Sequence, residues 1–199
     1  MYKKYVKRCL DIGLALILLP FVCIFILIFT PVIYIEDRGT IFYKAKRRGL
    51  NGKVFFMYKL RSMRMNAPDL RNANNSTFNS ASDPRVTKAG RILRKTSIDE
   101  LPQIFNILKG DMSFIGPRAP IPTDGVSWDH LNEMQQKRLT VRPGITGYAA
   151  ALYRNSIDKT EKQKLDCYYA DHVSFVLDIK IIFWTLRTVL LRKNLYTNT

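Results

Sequence analysis

IGLALILLPFVCIFILIFTPVIYI, residues 12–35, is a run of 24 residues without a charge. A helix needs roughly 20 apolar residues to cross a bilayer core of about 30 Å, so this run is long enough to span. Its flanks complicate that reading. Lys3, Lys4, Lys7 and Arg8 precede it, and Arg38, Lys44, Lys46, Arg47 and Arg48 follow it. Basic flanks stay on the cytoplasmic side, so both ends ask for the same compartment. Pro20 has no amide donor and its ring clashes with the preceding turn, which breaks or kinks a helix there. Two readings stand at this point: a helix that enters, bends at Leu19-Pro20 and returns, and a straight span with a proline kink. A cleaved signal peptide is not expected, because the run is too long and no small-residue cleavage pattern follows it.

Outward from this run, residues 1–36 form the anchor and residues 37–199 suit one globular domain. Hydrophobic residues at 47% and charged residues at 24% argue against disorder. The net charge of +16 favours anionic partners: nucleic acid, acidic lipid headgroups or phosphorylated substrates. The apolar run turns the balance towards the last two. Cys9, Cys23 and Cys167 are odd in number and scattered, so they read as reduced, buried small residues. The isolated His130 and His172 give no zinc spacing.

Thr40 to Tyr43 and Val54 to Tyr58 are β-prone, and Asn51-Gly52 between them favours a hairpin turn. Residues 66–83, rich in Asn, Ser and Asp, read as a loop closed by Asp83-Pro84. A helical pattern runs from Val86 to Lys109 with an interruption at Thr96-Ser97, and another from Asp129 to Leu139. Ser174 to Leu191 is apolar but interrupted by Asp178, Lys180 and Arg187, so it is not a second span. Its cations and aromatics fit a helix lying in the membrane interface, or one that packs on the domain.

Asp99 and Glu100 follow a run of cations and open an apolar helix. Ser97 and Glu100 have capping-box spacing, though Asp99 is an alternative cap that would place Pro102 in the first turn. Unpaired N–H groups and the positive dipole end gather there, which suits a phosphate as well as a structural cap. Downstream, Gly116-Pro117-Arg118 is rigid and would hold Arg118 in one direction, as a phosphate clamp or as a partner for the carboxylates.

These residues occur in an order that resembles the small monotopic phosphoglycosyl transferases, bacterial sugar transferases that start polyprenol-linked glycans. The carriers are Lys7-Arg8-Cys9-Leu10-Asp11, Leu19-Pro20, Tyr58-Lys59-Leu60-Arg61-Ser62-Met63 and Ser97-Ile98-Asp99-Glu100-Leu101-Pro102-Gln103. They continue through Gly110-Asp111-Met112-Ser113-Phe114-Ile115-Gly116-Pro117-Arg118, Val141-Arg142-Pro143-Gly144-Ile145-Thr146-Gly147, Arg154-Asn155 and Leu165-Asp166-Cys167-Tyr168-Tyr169.

The resemblance implies an α+β, mainly α fold: a re-entrant membrane helix, interfacial amphipathic helices and a small catalytic domain with a β-hairpin. It implies Asp99 as the nucleophile on a UDP-sugar, an aspartyl-phosphosugar intermediate, release of UMP and transfer to undecaprenol phosphate. It also implies Mg²⁺ contacted by Asp99, with Glu100 assisting the metal or orienting the acceptor. Arg118 matches a phosphate-binding arginine, Arg94 and Arg154 match further arginines, and Lys59 and Arg61 sit in a basic motif. For these last four, structural ion pairing is the alternative. The expected setting is the cytoplasmic face of a bacterial inner membrane, with lipid as a partner, no nucleic-acid partner, and room for a homodimer.

Ala119 stands where the family usually has proline, and Tyr148-Ala149-Ala150-Ala151-Leu152-Tyr153 replaces its common Trp-Ala-Gln-Val-Asn-Gly. The loop at residues 66–83 is longer than in the shortest members. The donor sugar therefore cannot be carried over. A membrane-tethered nucleic-acid module is one rival, but no recognition-helix or RNA-binding motif supports it. A silent scaffold of a glycan assembly complex is another, opposed by the intact Asp99, Glu100 and Arg118.

Overall fold

A computed structural model describes residues 1–70, 78, 80, 82–123, 126–153 and 156–190. Half of the expected 66–83 loop, and Arg154-Asn155, lie outside the described residues. A π-type turn, Tyr2–Val6, leads into α1 (Lys7–Asp37), a 31-residue helix that contains both Pro20 and Pro31. Helical backbone continues through Pro20, so a change of direction there is a kink inside one helix rather than a gap. The hairpin follows as β1 (Phe42–Arg48) and β2 (Val54–Leu60), antiparallel with Phe42 opposite Leu60 and Arg48 opposite Val54. Asn51 and Gly52 take positive φ at its turn, which asparagine tolerates and glycine, without a Cβ, adopts freely. The first strand therefore lies later than the β-prone residues 40–43 suggest, because cross-strand pairing extends it through the basic residues to Arg48.

Helix α2 (Lys88–Thr96) ends at Ser97, which adopts the left-handed conformation. A short 3-10 turn, Ile98–Glu100, separates it from α3 (Gln103–Lys109). The Ser97–Glu100 capping box does not form, because Ser97 closes the preceding helix instead. A capping box does exist at Asn132 and Gln135, opening α4 (Glu133–Arg138), which is shorter than the expected 129–139 helix. Strands β3 (Ser113–Ile115) and β4 (Gly144–Thr146) pair in parallel, a feature that Gly- and Pro-rich local sequence concealed. Helices α5 (Tyr148–Tyr153), α6 (Lys159–Asp171) and α7 (Phe175–Leu190) complete the order.

Three apolar clusters hold these parts. The first joins Ala15 and Val22 of α1 to Ala45, Phe55 and Met57 of the hairpin and to Ile104 and Ile107 of α3. The second joins Ile115 to Val141, Ala151, Tyr169 and Ile181. The third places Ile33 of α1 against Leu60 and Leu93. Both ends of α1 therefore rest on one domain. At the start, the Arg8 guanidinium donates to the Ile107 and Leu108 carbonyls at the end of α3. The buried Asp11 carboxylate accepts from the Ser113 hydroxyl and the Phe114 amide. At the end, Glu36 accepts from the Ala89 amide of α2, and Asp37 pairs with Arg61.

Between those ends, Leu16, Ile17, Phe21, Ile24, Leu27 and Ile35 of α1 are exposed. A continuous apolar face of this kind is foreign to a water-soluble surface. Cys9 and Cys23 are free but lie exposed on α1 rather than buried, because the core-facing stripe belongs to Ala15, Val22 and Ile33. On α7, Ile181 and Asp178 are buried while Phe175, Val176, Ile179 and Phe183 are exposed. The helix thus packs on the domain by one face and presents an apolar face outward.

Candidate active site

The site forms where the turn between α2 and α3 meets β2. Gly90 lets α2 approach closely, since a Cβ there would lie 2.0 Å from the Ser62 carbonyl oxygen. Asn106, with no exposed surface, donates its side-chain amide to the Phe56 carbonyl and accepts from the Tyr58 amide. It acts as a surrogate strand partner that fixes α3 against β2, so the 3-10 turn sits beside Lys59. The Lys59 ammonium donates to the Glu100 carboxylate at 2.6 Å.

Asp99 is buried, and the two carboxyls differ sharply. Burial pushes the Asp99 carboxyl up to about 6, with Glu100 adding to the rise while Lys59 and Arg94 oppose it. Burial acts to raise Glu100 too, but Lys59 and Arg118 outweigh it and hold that carboxyl below its ordinary range. Glu100 is therefore a committed anion. At Asp99 burial outweighs Lys59 and Arg94, and a carboxyl perturbed in this way beside a cleft is a candidate for chemistry rather than for capping alone.

A narrow cleft beside the pair is lined by Arg47, Lys59, Glu100, Gln103, Arg118 and Gly144, among others. Arg118 reaches it from the turn after β3, where Gly116 passes so close to β4 that a Cβ would meet the Arg142 carbonyl oxygen at 2.2 Å. Arg138 donates to the Arg118 carbonyl and pairs with the buried Asp166, which steadies this turn from α6.

The fold brings Asp99, Glu100, Lys59 and Arg118 to one place. Arg94 stands at its edge: its guanidinium donates to the Ser62 hydroxyl at 2.9 Å, and its charge acts on Asp99. Arg61 does not join them. It is buried, pairs with Asp37 and donates to the Thr40 carbonyl, because β2 ends at Leu60 and the chain turns away. Arg61 thus fastens the end of α1 to the hairpin. Leu19 packs on the core of the domain while Pro20 is exposed, and Arg154 lies outside the described residues. Arg47 and Gln103 were not singled out by the sequence; the strand alternation that places Arg47 with Lys59 is its one local signal.

Among the described residues no group of three or more His, Cys, Asp or Glu side chains converges on one point. Two adjacent hard carboxylates nonetheless suit Mg²⁺, which keeps several waters and takes one or two carboxylates plus substrate phosphate oxygens.

A family model described as bacterial sugar transferase matches residues 2–192. The galactosyl transferase CpsE of Streptococcus agalactiae is 44% identical over 193 residues, covering 93% of this chain and 42% of that protein. The sugar transferase EpsL of Bacillus subtilis is 40% identical over 189 residues, covering 95% of this chain and 89% of that protein. The undecaprenyl-phosphate galactose phosphotransferase of Salmonella typhimurium is 36% identical, covering 97% of this chain and 42% of that protein. The chain thus spans about two fifths of the first and third of these relatives and most of the second.

Proposed function

Because the chain belongs to the bacterial sugar transferase family, we propose that it moves a sugar phosphate from a UDP-sugar to undecaprenol phosphate. Asp99 is the nucleophile. One observation carries this reading: a buried carboxylate lies beside a Lys59–Glu100 pair, and Arg118 opens onto the same cleft. A carboxylate oxygen of Asp99 attacks the phosphorus that bears the sugar, and the bond to the nucleoside monophosphate breaks, releasing UMP. An oxygen of the polyprenol phosphate then attacks the same phosphorus. The aspartyl–phosphorus bond breaks, the carboxylate is regenerated and the lipid diphosphate sugar departs. One hard displacement becomes two easier ones.

Lys59 and Arg118 offset the charge of the transferring group, which is where catalysis of phosphoryl transfer is concentrated. Glu100, held as an anion, keeps Lys59 aimed into the cleft. Asp99 and Glu100 are the residues that would hold Mg²⁺, which when bound supplies further charge neutralisation at the phosphoryl oxygens.

The anchor serves the same chemistry. A straight helix of 31 residues is about 46 Å long, more than the bilayer core is thick. The domain grips α1 at Arg8 and Asp11 and again at Glu36 and Asp37, and a basic domain cannot follow a helix through lipid. We infer that α1 dips into one leaflet, bends near Pro20 and returns to the cytoplasmic side. The exposed apolar face of α7 lies in the interface. A soluble donor and a lipid-borne acceptor then meet at membrane level.

The test is UMP release in nanodiscs holding undecaprenol phosphate, with Mg²⁺ and a panel of UDP-sugars, wild type beside Asp99→Asn. We expect release with one sugar and loss of at least a thousandfold in the variant. Equal release by Asp99→Asn would overturn the covalent route.

A further inference from the structure

The transfer reaction leaves Lys162, near the start of α6, without a task. It stands one helical turn before Asp166, so the two side chains share a face of α6. Asp166 is paired with Arg138, whose guanidinium also donates to the Arg118 carbonyl at 2.8 Å. That chain of contacts sets the Lys162 face of α6 against the turn that carries Arg118. The charges agree with this placement. Arg118 acts on Glu100 on one side and on Lys162 and Asp166 on the other, so it stands between the Asp99–Glu100 turn and α6. Burial holds the Lys162 ammonium below its ordinary value, and repulsion from Arg118 adds to this against the pull of Asp166 and Asp158. Among the described residues neither the Arg118 guanidinium nor the Lys162 ammonium has a hydrogen-bond or ion-pair partner. The nearby carboxylates are engaged elsewhere: Asp166 pairs with Arg138, and Asp158 caps α6 by accepting from the Glu161 amide. Two cations held near each other in this way suit an anion that bridges them, and a guanidinium beside an ammonium suits a phosphate.

We propose that Lys162 is a binding residue for a phosphate monoester, which it holds together with Arg118 next to the phosphorus under attack. This deepens the transfer reaction above and rests on it. Asp99 forms and then loses a bond to one phosphorus. In the first displacement the nucleoside monophosphate of the donor leaves in line with Asp99, on the side opposite to it. In the second, the lipid phosphate oxygen approaches along that same line as the aspartyl–phosphorus bond breaks. The departing and the arriving phosphate therefore occupy one place in turn, beyond the transferring group as seen from Asp99. Arg118, and then Lys162, follow outward from the Asp99–Glu100 turn. One pair of cations thus serves both half-reactions, and UMP vacates it before the lipid phosphate enters.

Calorimetric titration of the full chain in detergent with UMP and with uridine tests the assignment without turnover. Lys162→Gln should weaken UMP by roughly tenfold, the loss of one charge-assisted hydrogen bond, and leave uridine unchanged. Initial rates in nanodiscs, with each substrate varied while the other saturates, then read the two half-reactions. Lys162→Gln should raise KM for the UDP-sugar and KM for undecaprenol phosphate alike, and the charge-keeping Lys162→Arg should bring both to within about twofold of wild type. Unchanged UMP affinity would overturn the proposal, and so would a KM change confined to one of the two substrates. Should Lys162→Gln lower the melting temperature, Lys162→Met, which keeps the aliphatic stem without the charge, takes its place in both measurements. The two readings fail separately. Lys162-dependent UMP binding without transfer of any sugar phosphate would end the reaction and keep the phosphate site, whereas transfer indifferent to Lys162 would do the reverse.

Discussion

Single residues here show how burial sets chemistry. Asp83 and Arg85 make a compact pair: the Asp83 carboxylate accepts from the Arg85 amide, from its Nε and from its Nη2, and Asp83 is almost fully buried. The Arg85 guanidinium holds the Asp83 carboxyl below its ordinary value against the opposing effect of burial. A carboxyl with a depressed folded-state pKa stabilises the fold above the unfolded value, about 3.9, and that stability is lost as pH falls through the folded value. Thermal unfolding in detergent should therefore show this contribution intact at neutral pH and fading below about pH 4. Asp83→Asn should cost about 3 kcal/mol at pH 7 and flatten the acid limb, because a buried guanidinium is left without its counter-charge. An unchanged melting temperature at pH 7 would contradict the role given to the pair. Asp99 differs in the balance: hydrogen bonds from Arg85 hold the Asp83 carboxyl down, whereas at Asp99 burial outweighs Lys59 and Arg94 and raises the carboxyl.

Elements are placed by a few buried polar contacts as much as by apolar packing. Strand β3 delivers Arg118, and it is held on one side by Asp11 of α1 and flanked on the other by the Tyr169 hydroxyl, which donates to the Asp178 carboxylate at 2.7 Å and lies 3.2 Å from the Ile115 carbonyl oxygen. Gly116, which follows β3, tolerates no side chain against the Arg142 carbonyl. Gly116→Ala should force the strands apart, cost about 3 kcal/mol, lower the melting temperature by roughly 10 °C and reduce turnover as Arg118 moves. A variant as stable and active as wild type would show that the approach is looser than described. Helix α1 yields a topological prediction. With the native cysteines replaced, single cysteines at Lys4→Cys and Arg38→Cys should both react with an impermeant maleimide from the cytoplasmic side of oriented vesicles. Labelling from opposite sides would establish a span and overturn re-entry.

For the whole molecule, the net charge of +16 and the exposed apolar faces of α1 and α7 act together. Apolar insertion anchors, while the basic surface adds about 1 kcal/mol per suitably placed Lys or Arg on anionic lipid. Turnover should therefore be higher in nanodiscs with anionic lipid than in zwitterionic ones, and added salt should erase the difference through screening. Equal rates at low salt would assign the charge to the substrates alone. Much of this architecture is legible in the chain. Hydropathy marks α1 because lipid demands an unbroken apolar run, Asn51-Gly52 marks the hairpin because positive φ needs such residues, and a helix interruption marks the Asp99–Glu100 turn. These signals are local, so the sequence by itself determined them. The parallel pairing of β3 with β4, the diversion of Arg61 to Asp37, the meeting of Arg47 with Arg118, and the grip of one domain on both ends of α1 join residues far apart in the chain. Only tertiary structure decided those, because the energy of such a contact depends on which segments pack together and not on the pattern within either one.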